Sequence, residues 1–258
     1  HLAADFRDNG WDIKGLVRKL VLSSTYRQGS RVSDKLKEAD PANRLFVRQA
    51  RYRLEAEFVR DTALHLSGLL SGDLGGPSVK PYQPAGYWQH LNFPRRSWKA
   101  SQGKDLYRRS LYTFICRSFP HPAMVAFDAP SREECVAERP RSNIPQQALV
   151  LLNDPVFVEA ARSFAERILR ESKGSPAQRI EWAYQQILTR KPHAKETAIL
   201  TQLFDQQKAR YAKDEPSAKA LLATGASAAP TDLPAPELAA WTTLSRALLN
   251  LYETTARF

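Results

Sequence analysis

Residues 143–171, NIPQQALVLLNDPVFVEAARSFAERILRE, contain two helix starts in succession. Asn143 stands as a cap with Pro145 near the first turn of a helix covering QQALVLL, and Asp154-Pro155 opens a second helix that runs to about Glu171. Proline suits the first turn because its missing N–H would be unbonded there in any case, and its fixed φ already matches the helix. Ser175-Pro176 repeats the signature and predicts a helix with Ile180, Trp182, Ala183, Ile187 and Leu188 inward; a turn at TRKP then leads to a long helix from about Ala194 to Lys213. Toward the start of the chain, Asp12 caps an amphipathic helix carrying Ile13, Leu16, Val17, Leu20 and Val21. A linker, RVSDKLKEADPANR, leads to another helix from about Leu45 to Leu70, with Leu54, Phe58, Leu66 and Leu69 as core candidates and Gly72, Gly75 and Gly76 ending it. Toward the end, ATGASAAPTDLPAP (residues 223–236) is a linker or exposed loop, and a helix from about Glu237 to Thr255 carries Leu238, Trp241, Leu244, Leu248 and Leu251 on one stripe, so it docks. The expected fold is mainly α, an irregular multi-helix domain with little or no β. It comprises a main domain over residues 1–222, the connector at 223–236, and a C-terminal helix at 237–258 on the same domain.

The stretch GGPSVKPYQPAGYWQHLNFPRRSW (residues 75–98) interrupts this pattern. Pro77, Pro81, Pro84 and Pro94 exclude a regular helix or central strand, so packing must hold the segment. Tyr82, Tyr87, Trp88, Phe93 and Trp98 could present stacking faces to sugars or bases, with Arg95, Arg96 and Lys99 neutralising an anion. The same rings could instead pin an otherwise structureless loop to the helices, which is the larger share expected. YRRSLYTFICR (residues 107–117) is strand-like in composition and reads as an extended or short helical piece in the core; His121 to Ser131 is loop, and Arg132 to Ser142 a charged connector.

Composition sets limits on function. The 258 residues, 43% of them hydrophobic, can bury a core, and no apolar run reaches the roughly 20 residues of a membrane span. The opening HLAADFRDNGWDIKGL reads as one helical segment running into another, as in a piece excised from a longer protein. A net charge of +11 raises the prospect of a glycan or another polyanion as partner, although basic residues spread along solvated helix faces would give the same count. Cys116 and Cys135 have neither CxxC nor zinc spacing; they read as small core residues, a disulfide being the alternative in an oxidising compartment. No metal site is expected, since His1, His65, His90, His121 and His193 have no ligand-like spacing. HExxH, a Walker loop, GxGxxG, GxSxG and CxxCH are all absent, so no cofactor is expected within these residues.

The densest polar cluster runs from Phe127 to Asn153. Ser131, Arg132, Arg139, Arg141, Asn143 and Gln146 lie around two helix starts, where free N–H groups can receive an anion, and Asp128 with Glu133 could serve as an acid–base pair on a sugar. The structural reading is that Asp128 and Ser131 make local turns and Asn143 caps a helix. A second cluster, Asn43, Arg44, Arg48, Arg51, Arg53 and Arg60, could grip an oxyanion, but the interleaved Glu55, Glu57 and Asp61 favour internal ion pairs.

Six ordered blocks, GWDIKGLVRKLVLSSTYRQ, NRLFVRQARYRLEAEFVRD, GGPSVKPYQP, YRRSLYTF, FDAPSREEC and RSNIPQQALVLLNDPVFVEAA, resemble the domain of unknown function 1553 from about Ala3 to Phe258. That family forms the C-terminal domain of planctomycete-type exported proteins that often carry an N-terminal c-type cytochrome module. The resemblance implies an exported or cell-envelope location, other domains of the same polypeptide as partners, and haem held outside these residues. It supplies no catalytic residues, and it adds Arg108 and Arg109, in the block YRRSLYTF, to the ligand-binding candidates. The expected role is an accessory domain binding carbohydrate or another anionic ligand. The alternatives are a polysaccharide-active enzyme using Asp128 and Glu133, and nonspecific nucleic-acid binding.

Overall fold

The computed structural model describes residues 1–90, 97–117 and 119–257, with the backbone alone at His90. Its described residues form eleven α-helices and one two-stranded sheet, so the protein is mainly α. The chain divides into two compact units, one of residues 1–53 with 256–258 and one of residues 54–255.

In the smaller unit, α1 (Leu2–Asp8) leads to α2 (Ile13–Leu22), whose first turn is capped by the Asp12 carboxylate accepting from Gly15 N at 3.0 Å. The expected stripe on α2 is present, yet Ile13, Val17, Leu20 and Val21 are exposed. The segment expected as a plain linker contains α3 (Asp34–Ala39), because Ser33 caps Leu36 N. The helix expected from Leu45 does not start there. Asn43 and Arg48 bond reciprocally through side chain and backbone and close a loop, after which β1 (Tyr52–Arg53) pairs antiparallel with β2 (Ala256–Arg257).

In the larger unit, α4 spans only Ala56–Ser67 and stops at Gly68, whose φ of 78° is left-handed, before any of the three glycines expected to end it. Leu66 is buried as expected, but Phe58 is 55% exposed. Next come 3-10 turns at Tyr87–His90, Gly103–Tyr107 and Ser110–Tyr112, the last a short helical piece within the stretch read as extended or short helical. The stretch expected as loop contains α5 (Pro122–Ala126). Then follow α6 (Pro145–Asn153), α7 (Pro155–Glu171), α8 (Pro176–Leu188), α9 (Ala194–Lys213), α10 (Glu215–Leu222) and α11 (Ala235–Leu249). Asp154 caps α7 and Ser175 closes a capping box on α8, as the two proline signatures predict. The cap position of α6 falls on Ile144, without a side-chain bond, and not on Asn143.

The core centres on α7 and α11, with α4 on α7 and α9 on α11. Ala160, Ala161 and Ala165 on α7, and Ala239 and Ala240 on α11, are fully buried, and such small side chains allow close helix approach. Trp241 packs on Phe204 at 4.6 Å between ring centres, and Phe164 stacks on Trp182 at 6.0 Å. Helix α11 thus lies buried at the centre of this core, against α7 and α9. Neither cysteine is a core residue and the two are not joined by a disulfide; Cys116 is half-buried and Cys135 exposed in the loop after α5. No described helix is long and apolar enough to cross a membrane.

The Ala/Pro-rich segment after α10 is held by a buried ion pair on α7. Glu159 and Arg162 have side chains 1% and 2% exposed, their nearest charged atoms 3.7 Å apart. Ser227 N and Oγ donate to Glu159 Oε1 at 2.7 and 2.8 Å, while Arg162 donates to Leu222 O at 2.8 Å and Ser227 O at 2.7 Å. The close pass needs Gly225, at φ 98°, where an added Cβ would lie 2.2 Å from Glu159 Cδ. Glu159→Ala is expected to lower stability by about 3–5 kcal/mol by stranding the Arg162 charge, as measured by urea unfolding.

Candidate functional site

The aromatic segment is pinned chiefly by its own rings. Trp88 is 6% exposed and packs on Trp98 at 5.3 Å and Phe119 at 6.1 Å between ring centres. Tyr87 lies on Phe119, its hydroxyl donating to Pro120 O at 3.3 Å, and Trp98 Nε1 donates to Pro81 O at 2.7 Å. Tyr82 reaches Glu159 Oε2 at 3.1 Å, and Tyr107, from the neighbouring 3-10 turn, reaches Oε1 at 2.7 Å. Burial, then the Glu159 charge, raises the Tyr82 pKa; burial and the bond to Glu159 push Tyr107 up to about 12. Both phenols are held as donors. Phe93, Arg95 and Arg96 lie outside the described residues.

Arginines fix the backbone around these rings. Arg60, buried on α4, donates to Leu106 O at 2.8 Å, Arg108 O at 2.9 Å and Ser110 Oγ at 3.2 Å, and desolvation lowers its pKa to about 10. Arg108 is buried too, donating to Gly75 O and to Pro77 O and lying 3.9 Å over the Tyr112 ring. Arg109 is half-exposed and 3.8 Å from Asp61. Among the described residues, the internal pairs expected of the second cluster are not formed by Arg44, Arg48 or Arg60; Glu55 and Glu57 instead hold Arg139, at 3.0 and 2.8 Å.

The polar cluster after α5 is arranged as a clamp. Asp128, at φ 60°, accepts from Ser142 N at 2.7 Å and from Ser142 Oγ at 2.9 Å, and Gln147, buried on α6, donates to Ser142 O at 3.3 Å. Gln147 closes this clamp; Asn143 and Gln146, the neighbours singled out in the sequence, are exposed, as is Arg141. Ser131 Oγ accepts from Glu133 N at 3.3 Å, the local turn expected of it, and both residues are exposed.

A cleft of about 480 Å³, counting the part open to solvent, lies beside this clamp. Leu111, Phe114, Ile115 and Met124 give it apolar walls, and Glu57, Ser110, Thr113, His121 and Arg132 its polar groups; neither Asp128 nor Glu133 lines it. Parallel bonds from Val79 N to Tyr112 O at 2.8 Å and from Phe114 N to Val79 O at 2.7 Å hold the wall in place. His121 is 6% exposed, and its Nε2 faces Tyr82 O at 2.6 Å. A carbonyl only accepts, so the proton sits on Nε2 and Nδ1 is a bare acceptor. That Nδ1 and Thr113 Oγ1 are buried without a hydrogen-bond partner among the described residues. Burial lowers the His121 pKa to about 4, helped by the Arg60 charge, while Asp154, mostly buried at the start of α7, is raised to about 6 by desolvation. His121 and Asp154 both line a second, smaller cavity with Arg60.

Two measurements check these assignments. Trp88→Ala should cost about 3–5 kcal/mol in thermal or urea melts; weakened glycan binding at an unchanged melting temperature would restore its ring as a platform. His121 contributes stability that is whole above pH 6.5 and lost as pH falls toward 4, whereas Asp154 acts oppositely, costing stability as pH rises from 3.8 toward 6. Relative to His121→Gln, the wild type should lose on the order of 3 kcal/mol across its window on acidification, and parallel pH profiles would contradict the depressed histidine.

Comparison with known families gives a match to the model described as PSD1, protein of unknown function (DUF1553), over residues 1–204. The matched span includes the aromatic segment, the clamp and every residue lining the cleft, while α10 and α11 lie beyond it. No curated protein and no solved structure matches the chain. With its ordered blocks and most of its length inside that span, the chain belongs to the DUF1553 family.

Proposed function

We propose that this domain is a binding module whose cleft between α4, residues 110–115 and α5 takes a small hydroxyl-bearing ligand, a terminal sugar residue being the class that fits. The observation that carries this reading is the pair of buried polar atoms without partners, His121 Nδ1 and Thr113 Oγ1, on residues lining one largely apolar cleft. Burying such groups unbonded costs about 1–3 kcal/mol each, a cost a ligand hydroxyl would relieve. A sugar offers both faces required, C–H groups for Leu111, Phe114 and Ile115 and hydroxyls for the nitrogen and oxygen. Arg132 stands on the same lining in a left-handed conformation, φ 63°, and would favour an acidic sugar over a neutral one. The family resemblance supports reading the module as accessory to other domains of an exported polypeptide, with haem carried outside these residues.

Calorimetric titration with neutral and uronic mono- and disaccharides tests the reading. Thr113→Val, which keeps shape and removes the hydroxyl, is expected to weaken binding roughly five- to tenfold with little change in melting temperature; Arg132→Ala should weaken the uronic ligands selectively. Absence of binding across the panel, or binding untouched by both substitutions, would remove the cleft as the site.

A further inference from the structure

The net charge is not spread evenly over the chain. Residues 1–53 and 256–258 hold thirteen Lys and Arg against six Asp and Glu, a net +7, whereas residues 54–255 hold twenty-five against twenty-one, a net +4. The small unit therefore carries most of the +11. Within it a groove of about 820 Å³, counting open solvent, is lined by Ser30, Lys37, Asn43, Arg48, Gln49 and Arg51 with three small apolar residues and no carboxylate.

The local chemistry leaves this groove positive. Arg48 is positioned by donating to Asp40 O at 3.0 Å and Pro41 O at 2.7 Å, dipoles that orient the guanidinium without cancelling its charge. The Asp40 carboxyl is buried, and its two oxygens each accept a backbone N–H at 2.8 Å, from Arg44 and from Leu45. Those bonds and the Arg48 charge hold its carboxyl below the usual range. Lys37 meets the exposed Asp34, at 3.1 Å, a contact that water screens. Gln49, bonded to Thr25 O and Tyr26 O, fixes the opposite wall.

From this we infer that the groove binds an oxyanion, the charged group of a phosphate or of a sugar acid, on Arg48 and Lys37. The inference is independent of the cleft described above. Interleaved Asp34 and Glu38 on α3 favour a discrete site over a track for a long polyanion. The whole chain is titrated at low ionic strength with inorganic phosphate and, separately, with glucuronate, following backbone amide shifts by NMR. Expected are saturable shifts at Ser30, Asn43 and Gln49, weakened about tenfold by Arg48→Lys and several-fold by Lys37→Ala, with circular dichroism unchanged. Tighter binding of one probe identifies the source as free anion or sugar acid, and either supports the site. Lack of saturable shifts with both probes overturns it. A short DNA duplex bound far more tightly than either, with Lys37→Ala lowering only the salt dependence, overturns it in favour of a nucleic-acid surface.

Discussion

The carboxylate of Glu159 holds together the parts of the larger unit that have no regular structure of their own. It projects from the most buried face of α7 and receives Tyr82 from the proline-rich segment, Tyr107 from the 3-10 turn and Ser227 from the loop between α10 and α11. A buried carboxylate is tolerable only when its lone pairs are taken up, and here three separate pieces of chain supply the donors. Arg162, one helical turn on, is satisfied by the carbonyls of Leu222, at the end of α10, and of Ser227 in the same loop, so the charge pair and the loop require each other.

Arginine repeats this role elsewhere in the fold. Arg60, Arg108 and Arg246 each donate to carbonyls of neighbouring segments, at residues 106 and 108, 75 and 77, and 152 respectively. A guanidinium carries five donors in a fixed plane, which suits carbonyls that no ladder or helix will satisfy. Part of the net positive charge is thus internal structure. The remainder is concentrated in the small unit, where Arg48 is oriented by carbonyls in the same way but borders an open groove.

Pinning also decides what remains for binding. With Trp88 and Trp98 turned onto each other, Trp88 also onto Phe119 and Trp98 onto Phe114, these rings are committed to packing, and Asp128 is committed to Ser142. Among the buried polar atoms left over, the second nitrogen of His121 and the hydroxyl of Thr113 belong to residues that line the cleft. They are polar atoms held still by the surrounding packing, an arrangement that favours recognition because little entropy is lost when a ligand meets them.

The sequence by itself determined the helices whose ends are written locally. Asp154-Pro155, Ser175-Pro176 and the stretch from Ala194 to Lys213 stand where caps and periodicity place them, because a cap acts within four residues of itself. The mainly α class and the family blocks were legible for the same reason. Helix α4 was overextended because nothing local reveals that residues 43–48 close a loop and residues 52–53 pair with 256–257, some two hundred residues away. Only the tertiary structure decided that Ser227 anchors the Ala/Pro-rich loop, that Trp88 faces inward, and that His121 and Thr113 share a cleft. Each of those facts depends on which distant atom satisfies a buried donor or acceptor, and a pairing between residues far apart along the chain leaves no periodicity to read.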